Sequence, residues 1–133
     1  MIEVRHEVPS IEDYCRLREA SGLSGKTEAA ARKGLPNSCF AVTLYAEGTA
    51  IGMGRVIGDG GTAFQIIDIA VDKKWQKQGH GRTIMTHIMA YIESVAVPST
   101  YVSLIADYPA DALYEKFGFI TTEPYSAGMY QKF

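Results

Sequence analysis

The stretch IIDIAVDKKWQKQGHGRTIM, Ile66 to Met85, decides how this chain is read. It opens as an apolar strand, turns polar, and places Gly79 and Gly81 at the mouth of a helical pattern. Glycine weakens helices, so two of them at a helix start ask for a reason. The first amides of a helix have no internal partner, and their dipole end attracts negative charge. A Gly-x-Gly turn clears side chains away so that a phosphate can approach those N–H groups. The stretch therefore reads as a diphosphate cradle. GxxxxGK[ST] is absent, which excludes a P-loop, and GxGxxG fails because position 84 is Ile. What remains is Gln-x-x-Gly-x-Gly, Gln76 through Gly79 to Gly81, behind a strand ending Ile69-Ala70-Val71-Asp72. Alone, so short a pattern also suits a plain strand-to-helix turn.

Working outward, Ile84, Met85, Ile88, Met89 and Ile92 recur at helical spacing, and the helix fades before Pro98. Upstream, SCFAVTLYAEGTAIGMGRVIGDGGTAFQIIDIAV reads as three strands joined by Glu47-Gly48 and Asp59-Gly60-Gly61, an antiparallel meander. A short strand is expected at Ile2 to Arg5. A helix follows from Ser10 to Ala20, with Ser10 as cap, Asp13 in capping-box position and Gly22 as its stop. Its apolar members Ile11, Tyr14, Cys15 and Leu17 suit one face. Ser21 to Ser38 is a Gly-, Ser- and Pro-punctuated loop with a short helix in Thr27 to Lys33, and a loop of this length is usually functional. Downstream, TYVSLIAD is a central-strand candidate, PADALYEKFGF a short helix ended by Gly118, and SAGMYQKF a last strand. The expected fold is mixed α/β, with a partly antiparallel central sheet flanked by helices.

Composition bounds the function. At 133 residues, 47% hydrophobic and 21% charged, the chain suits one soluble globular domain over residues 1–133. A net charge of −2 provides no basic field for nucleic acid or an acidic membrane. Cys15 and Cys39 lack a CxxC or a spaced His partner, so buried reduced thiols are expected and neither a disulfide nor a metal site is. MIEVRHEVPS has no signal-peptide core, and no run approaches the ~18 apolar residues of a membrane span. A cytoplasmic location is the expectation.

After the next strand stands ALYEKFGF, Ala112 to Phe119. With it the sequence resembles the GCN5-related N-acetyltransferase (GNAT) family. In that family an Ala-Val-x strand end precedes an [Arg/Gln]-x-x-Gly-x-[Gly/Ala] turn, and an Asn-x-x-Ala-x-x-Leu-Tyr-x-x-x-Gly-Phe segment follows. This chain carries Ala70-Val71-Asp72, then Gln76, Gly79 and Gly81, then Ala110, Leu113-Tyr114 and Gly118-Phe119, in order across nearly its whole length. Two positions depart. Asp107 stands for the family's Asn, and while ionised it cannot donate a hydrogen bond to a pantetheine arm, although it can cap a helix opening at Tyr108-Pro109. Trp75 stands where a smaller aromatic is usual, a larger plug beneath the turn.

The resemblance implies the acyl-CoA N-acyltransferase fold and direct acetyl transfer from acetyl-CoA to an amine. The backbone amides from Gln78 through His80 to Arg82 would hold the diphosphate, with a hydroxyl from Thr83; for Arg82 a solvated role competes with phosphate contact. Ile69, Ala70 and Val71 would pair with the pantetheine arm, and an amide there would face the developing oxyanion. Tyr114 holds the family's acid position, although Ala110, Leu113, Tyr114 and Phe117 also form an apolar stripe that would make it core. Asp68 is the base candidate: it alternates onto the face of Phe64, Ile66 and Ala70, surroundings that would raise its pKa. The competing reading bonds Asp68 to Arg55 or a loop, and a water relay is a third. His6, His80 and His87 offer no better base, and His87 falls on the polar side of its helix.

The acceptor would sit among the Ser21–Ser38 loop, Gly52 to Arg55 and the tail from Ser126 to Tyr130, with Met53 and Met129 as adaptable lining. A small-molecule amine fits best, because no extra domain or acidic run grips a basic peptide. A protein N-acetyltransferase, an acyl-CoA-binding regulatory module and a purely structural domain are the alternatives. A homodimer through the SAGMYQKF strand is an expectation by analogy.

Overall fold

The computed structural model describes residues 1–107 and 110–133. In chain order its elements are β1 (Ile2–Arg5), α1 (Ile11–Ala20), α2 (Glu28–Gly34), β2 (Phe40–Ala46), β3 (Thr49–Gly58), β4 (Ala63–Val71), α3 (His80–Val95), β5 (Tyr101–Ser103) and α4 (Asp111–Glu115). Short 3-10 turns cover Leu35–Asn37 and Lys73–Trp75. The strands lie in the order β1-β2-β3-β4-β5; the first four pair antiparallel, and β5 runs parallel to β4. The mixed sheet expected from the sequence is therefore present.

Local signals explain the early elements. Ser10 caps α1 by accepting from the Asp13 amide at 3.1 Å. The helix ends in a Schellman motif, with Gly22 N–H donating to the Glu19 carbonyl and Leu23 N–H to that of Arg18. Thr27 caps α2 through the Ala30 amide at 3.2 Å.

The sheet has two unlike faces. On one, α3 lays Ile84, Met85, Ile88 and Ile92 against Val42, Leu44, Val56, Phe64 and Ile66. It approaches closely because Gly54 has no side chain: a Cβ there would lie 2.6 Å from Ile84 Cγ2 and 2.9 Å from Ile88 Cδ1. On the other face, Tyr14, Leu17, Ala31 and Leu35 of α1 and its neighbours cover Ala50, Met53 and Ala70.

Three expectations fail in the last third of the chain. The strand in TYVSLIAD is only Tyr101–Ser103 and lies at the sheet's end rather than its centre, because it meets β4 only at Ala63–Gln65 and then diverges. The last helix is Asp111–Glu115, shorter than PADALYEKFGF suggested; Ala110 is its cap residue without a side-chain bond, and the expected opening at Tyr108-Pro109 lies outside the described residues. SAGMYQKF forms no strand: residues 126–133 are exposed and make no backbone bond to the sheet.

Candidate active site

Divergence of β4 and β5 builds the site. β4 is paired with β5 only through Gln65, so its outer edge along Ile69–Val71 has no strand partner among the described residues. Beside it opens a cleft of about 460 Å³, with Ile69, Ala70 and Val71 on one wall, Gly79 to Gly81 at one end, and Asp107, Leu113 and Tyr114 opposite.

Gly79 answers why glycine stands at the helix mouth. It precedes α3 in a left-handed conformation, φ +85°, and no atom comes within 4 Å of where its Cβ would be. A side chain would strain the backbone and project into the open space before the first amides of the helix. Gly81 packs against Leu113, whose Cδ2 would lie 3.3 Å from an added Cβ. Gln76 fastens the turn to the strand by donating from Nε2 to the Val71 carbonyl at 2.8 Å. The free amides, the glycine clearing and the unpaired strand edge together suit a ligand that brings a diphosphate and a chain of amides.

The side chains around the turn take varied roles. Gln78 is exposed and reaches back to the Lys74 carbonyl at 3.4 Å. Arg82 is exposed at the first turn of α3. Thr83 donates its hydroxyl to the Gly79 carbonyl at 3.2 Å, so it caps the turn instead of facing the cleft. His80 lies against Trp75 with ring centroids 6.0 Å apart, and its Nε2 is buried without a partner among the described residues. Asp107 lines the cleft, and its carbonyl accepts from the Ala110 amide at 2.8 Å.

Tyr114 is buried in the middle of this arrangement. It belongs to two clefts at once: the one just described, and a second of about 450 Å³ between β5, α4 and the tail. Burial, and then the charge of Asp107, raise its phenol above the ordinary tyrosine value. It therefore holds its proton throughout the neutral range. The second cleft carries the carboxylates of Asp111, Glu115 and Glu123 and no Lys, Arg or His among its lining residues.

Asp68 corrects the sequence reading. β4 carries a bulge here: Arg55 pairs with Ile67 and Met53 with Ala70, so two residues of β4 oppose Gly54 alone. Asp68 takes φ +60° at this bulge. The extra residue reverses the alternation, so Phe64 and Ile66 face α3 while Asp68 and Ala70 face α1. There Asp68 is fully buried but not in apolar surroundings. Oδ1 accepts from Arg18 Nη1 at 2.8 Å; Oδ2 accepts from Arg55 Nε at 2.8 Å and from Tyr14 Oη at 3.0 Å. With both oxygens engaged by two guanidiniums and a phenol, its geometry is that of the competing reading, a carboxylate bonded to Arg55. Tyr14, buried and beside that charge, has its pKa pushed up to about 12.

Sequence reasoning missed Tyr14 and Arg18 as partners of Asp68. Their i, i+4 spacing with Leu17 between them was the available signal, since all three are buried on one face of α1. His87, on the polar side of its helix as expected, meets Nε2 of His6 through its Nδ1 at 2.9 Å and so links the segment after β1 to α3. Met53 is core, and Met129 lines the second cleft while remaining exposed.

Comparison with known proteins agrees with this geometry. Residues 36–121 match the acetyltransferase (GNAT) domain family. A Staphylococcus aureus protein of unknown function, described as a probable acetyltransferase, is 62% identical over 100% of both chains with a TM-score of 0.98. A GNAT family acetyltransferase from Streptococcus pneumoniae shares the fold at 23% identity and TM-score 0.82, covering 99% of this chain and 98% of its own. So does a glucosamine-6-phosphate N-acetyltransferase from Arabidopsis thaliana, at 20% identity and TM-score 0.73, covering 100% and 99%. Among curated proteins none matches the chain. The chain belongs to the GNAT family and is an acetyl-CoA-dependent N-acetyltransferase.

Proposed function

We propose that residues 1–133 act as one domain that moves the acetyl group of acetyl-CoA to a primary amine of a small molecule by direct attack. The observation that carries this reading is the position of Tyr114, which lines both the cleft at the glycine turn and the second cleft beside it. Cofactor and acceptor would enter from different sides and meet at its hydroxyl.

The amides of His80, Gly81 and Arg82, at the positive end of α3, would take the diphosphate. The free edge of Ile69–Val71 would take the pantetheine amides, and one of its N–H groups would face the thioester oxygen. Acetyl-CoA supplies an activated acyl group when bound. The amine nitrogen forms its bond to the carbonyl carbon as the C–S bond breaks. The amine's proton leaves to water, and Tyr114 gives its own to the departing sulfur. A phenol whose pKa is raised is fully protonated at neutral pH, as a general acid must be. We assign Asp68 a positioning role instead of proton abstraction: its two ion pairs pin the bulge from which the Ile69–Val71 edge departs.

The acidic lining of the second cleft supports an acceptor that is cationic before it reacts. No helix is long and apolar enough to cross a membrane among the described residues. The unpaired cysteines support a reducing, cytoplasmic setting.

The test is a thiol-release assay with acetyl-CoA against a panel of mono- and diamines, amino acids and aminosugars, using Tyr114→Phe as control. Wild type should release CoA with at least one amine, and the variant should lose about 10²–10⁴-fold in kcat. Acetyl-CoA binding with no transfer to any amine would instead select a regulatory module, and transfer only to peptides would select a protein acetyltransferase.

A further inference from the structure

The second cleft carries a charge pattern that acetyl transfer alone does not use. Asp111 and Glu115 of α4 and Glu123 beyond it line this cleft, and none of the three forms an ion pair among the described residues. Asp111 suits the start of α4, but Glu115 closes that helix at the end that favours a cation. It also stands four residues from Asp111, on the same helical face, where like charges repel. Tyr114 lies three residues after Asp111 and shares that face. It is only 9% exposed, its hydroxyl has no hydrogen-bond partner among the described residues, and the surface it keeps faces the two clefts. Leu104, Ile105, Phe119 and Met129 give the second cleft an apolar wall. Unpaired carboxylates, an unpartnered buried phenol and an apolar wall thus meet in one cavity.

The carboxylates do not serve the nitrogen that reacts. A carboxylate beside an amine favours its charged form, and an ammonium has no lone pair with which to attack. The uncharged phenol of Tyr114 marks where the reacting nitrogen sits as a free amine; the three carboxylates mark where a positive charge stays. We propose that the acceptor is an aliphatic diamine, one nitrogen placed at Tyr114 and the second, as an ammonium, held by Asp111, Glu115 and Glu123. Neighbours on a helix face lie about 5–6 Å apart at Cβ, a distance that a short chain of methylenes covers. The chemistry rests on the acetyl-transfer reading; the binding of a second cation does not. In the step itself the free amine forms its C–N bond as the thioester C–S bond breaks. Its proton goes to water, the sulfur takes the proton of Tyr114, and the phenol regains one from water. The second nitrogen keeps its charge throughout. A second round on the same molecule would set an uncharged amide against the carboxylates, so acetylation stops after one nitrogen.

Three amines that differ at the far end test this on the full chain: tetramethylenediamine, with an ammonium there, n-butylamine, with a methyl group, and γ-aminobutyrate, with a carboxylate. Calorimetric titration without cofactor should rank them in that order. The diamine should bind about tenfold more tightly than n-butylamine, the scale of two or three partly solvated charge pairs. With acetyl-CoA present, kcat/KM should follow the same order, and mass spectrometry should find one acetyl group per diamine. Glu115 and Glu123 are exposed, so Glu115→Gln/Glu123→Gln should keep the circular dichroism of wild type. It should bring the ratio of diamine to n-butylamine affinity close to one, and Glu115→Lys/Glu123→Lys should turn the preference toward γ-aminobutyrate. Equal affinity of wild type for the diamine and n-butylamine, or a diamine preference that survives in both variants, would overturn the second-cation site. Tight diamine binding with no CoA released by any amine would sink the acetyl-transfer reading and still establish the site.

Discussion

The two faces of this sheet are held in opposite ways. Against α3 the buried contact is apolar, and Gly54 lets Ile84 and Ile88 sit almost on the backbone of β3. Against α1 the same sheet buries a carboxylate between two guanidiniums and a phenol. The apolar face gains from area removed from water, about 1.5–3 kcal/mol for each large side chain fully buried. The charged face gains little net stability, since desolvation offsets most of the attraction, but it fixes geometry. That geometry is the bulge at Asp68, which turns Ile69–Val71 into an edge for a ligand. One side of the sheet thus keeps the domain folded while the other positions its chemistry.

The largest effect is expected at Asp68. Asp68→Ala leaves two buried guanidiniums without their counter-ion and should cost about 3–5 kcal/mol, read as a fall in urea midpoint. If the domain instead keeps its stability, the network is not what holds the bulge. Tyr14→Phe keeps the ring and removes one bond to a charged partner, for about 1.5–3 kcal/mol by the same measurement. On the other face, Gly54→Ala inserts a methyl group where the neighbours lie 2.6–2.9 Å away. Overpacking there should cost about 1–3 kcal/mol and shift α3, and a neutral result would show that α3 is free to move.

A finer test uses pH. Tyr14 titrates near pH 10 in the unfolded chain and at about 12 in the folded one. A raised pKa means that its stabilising share is complete below pH 10 and is lost as pH rises through about 12. Between these values the unfolded state binds fewer protons, so wild type should lose stability that Tyr14→Phe does not. Parallel alkaline profiles of the two proteins would place the phenol elsewhere than on Asp68.

Most of the fold was legible because its signals are local. Ser10, Thr27 and Gly22 mark helix ends by chemistry that needs only their neighbours, and the Glu47-Gly48 and Asp59 turns separate strands of clear alternation. The glycine turn was legible because the backbone demand at Gly79 leaves a trace in residue type; Tyr114 was singled out by the family resemblance alone, since its apolar stripe by itself reads as core. Asp68 was misread for a physical reason. Alternation assumes a regular strand, and a single inserted residue reverses it; nothing in FQIIDIAV announces where the bulge falls, since Asp tolerates a left-handed conformation without glycine's signature. The end of the chain was misread for a different one. TYVSLIAD and SAGMYQKF have strand composition, but composition does not say whether a segment will meet an edge: β5 pairs with β4 only at Ala63–Gln65 before it diverges, and residues 126–133 make no backbone bond to the sheet.

Thermal unfolding with and without acetyl-CoA reads whether the Gly79–Gly81 turn and the β4 edge hold the cofactor. At ~100 times its dissociation constant, a ligand of the folded state adds about 2.7 kcal/mol. For a domain of this size that raises Tm by about 8–12 °C. Wild type should show this rise, and a Gly79→Trp/Gly81→Trp variant with unchanged circular dichroism should not. A wild type that melts at the same temperature with millimolar acetyl-CoA, or a variant that is stabilised as much as wild type, would show that the cofactor does not bind at this turn.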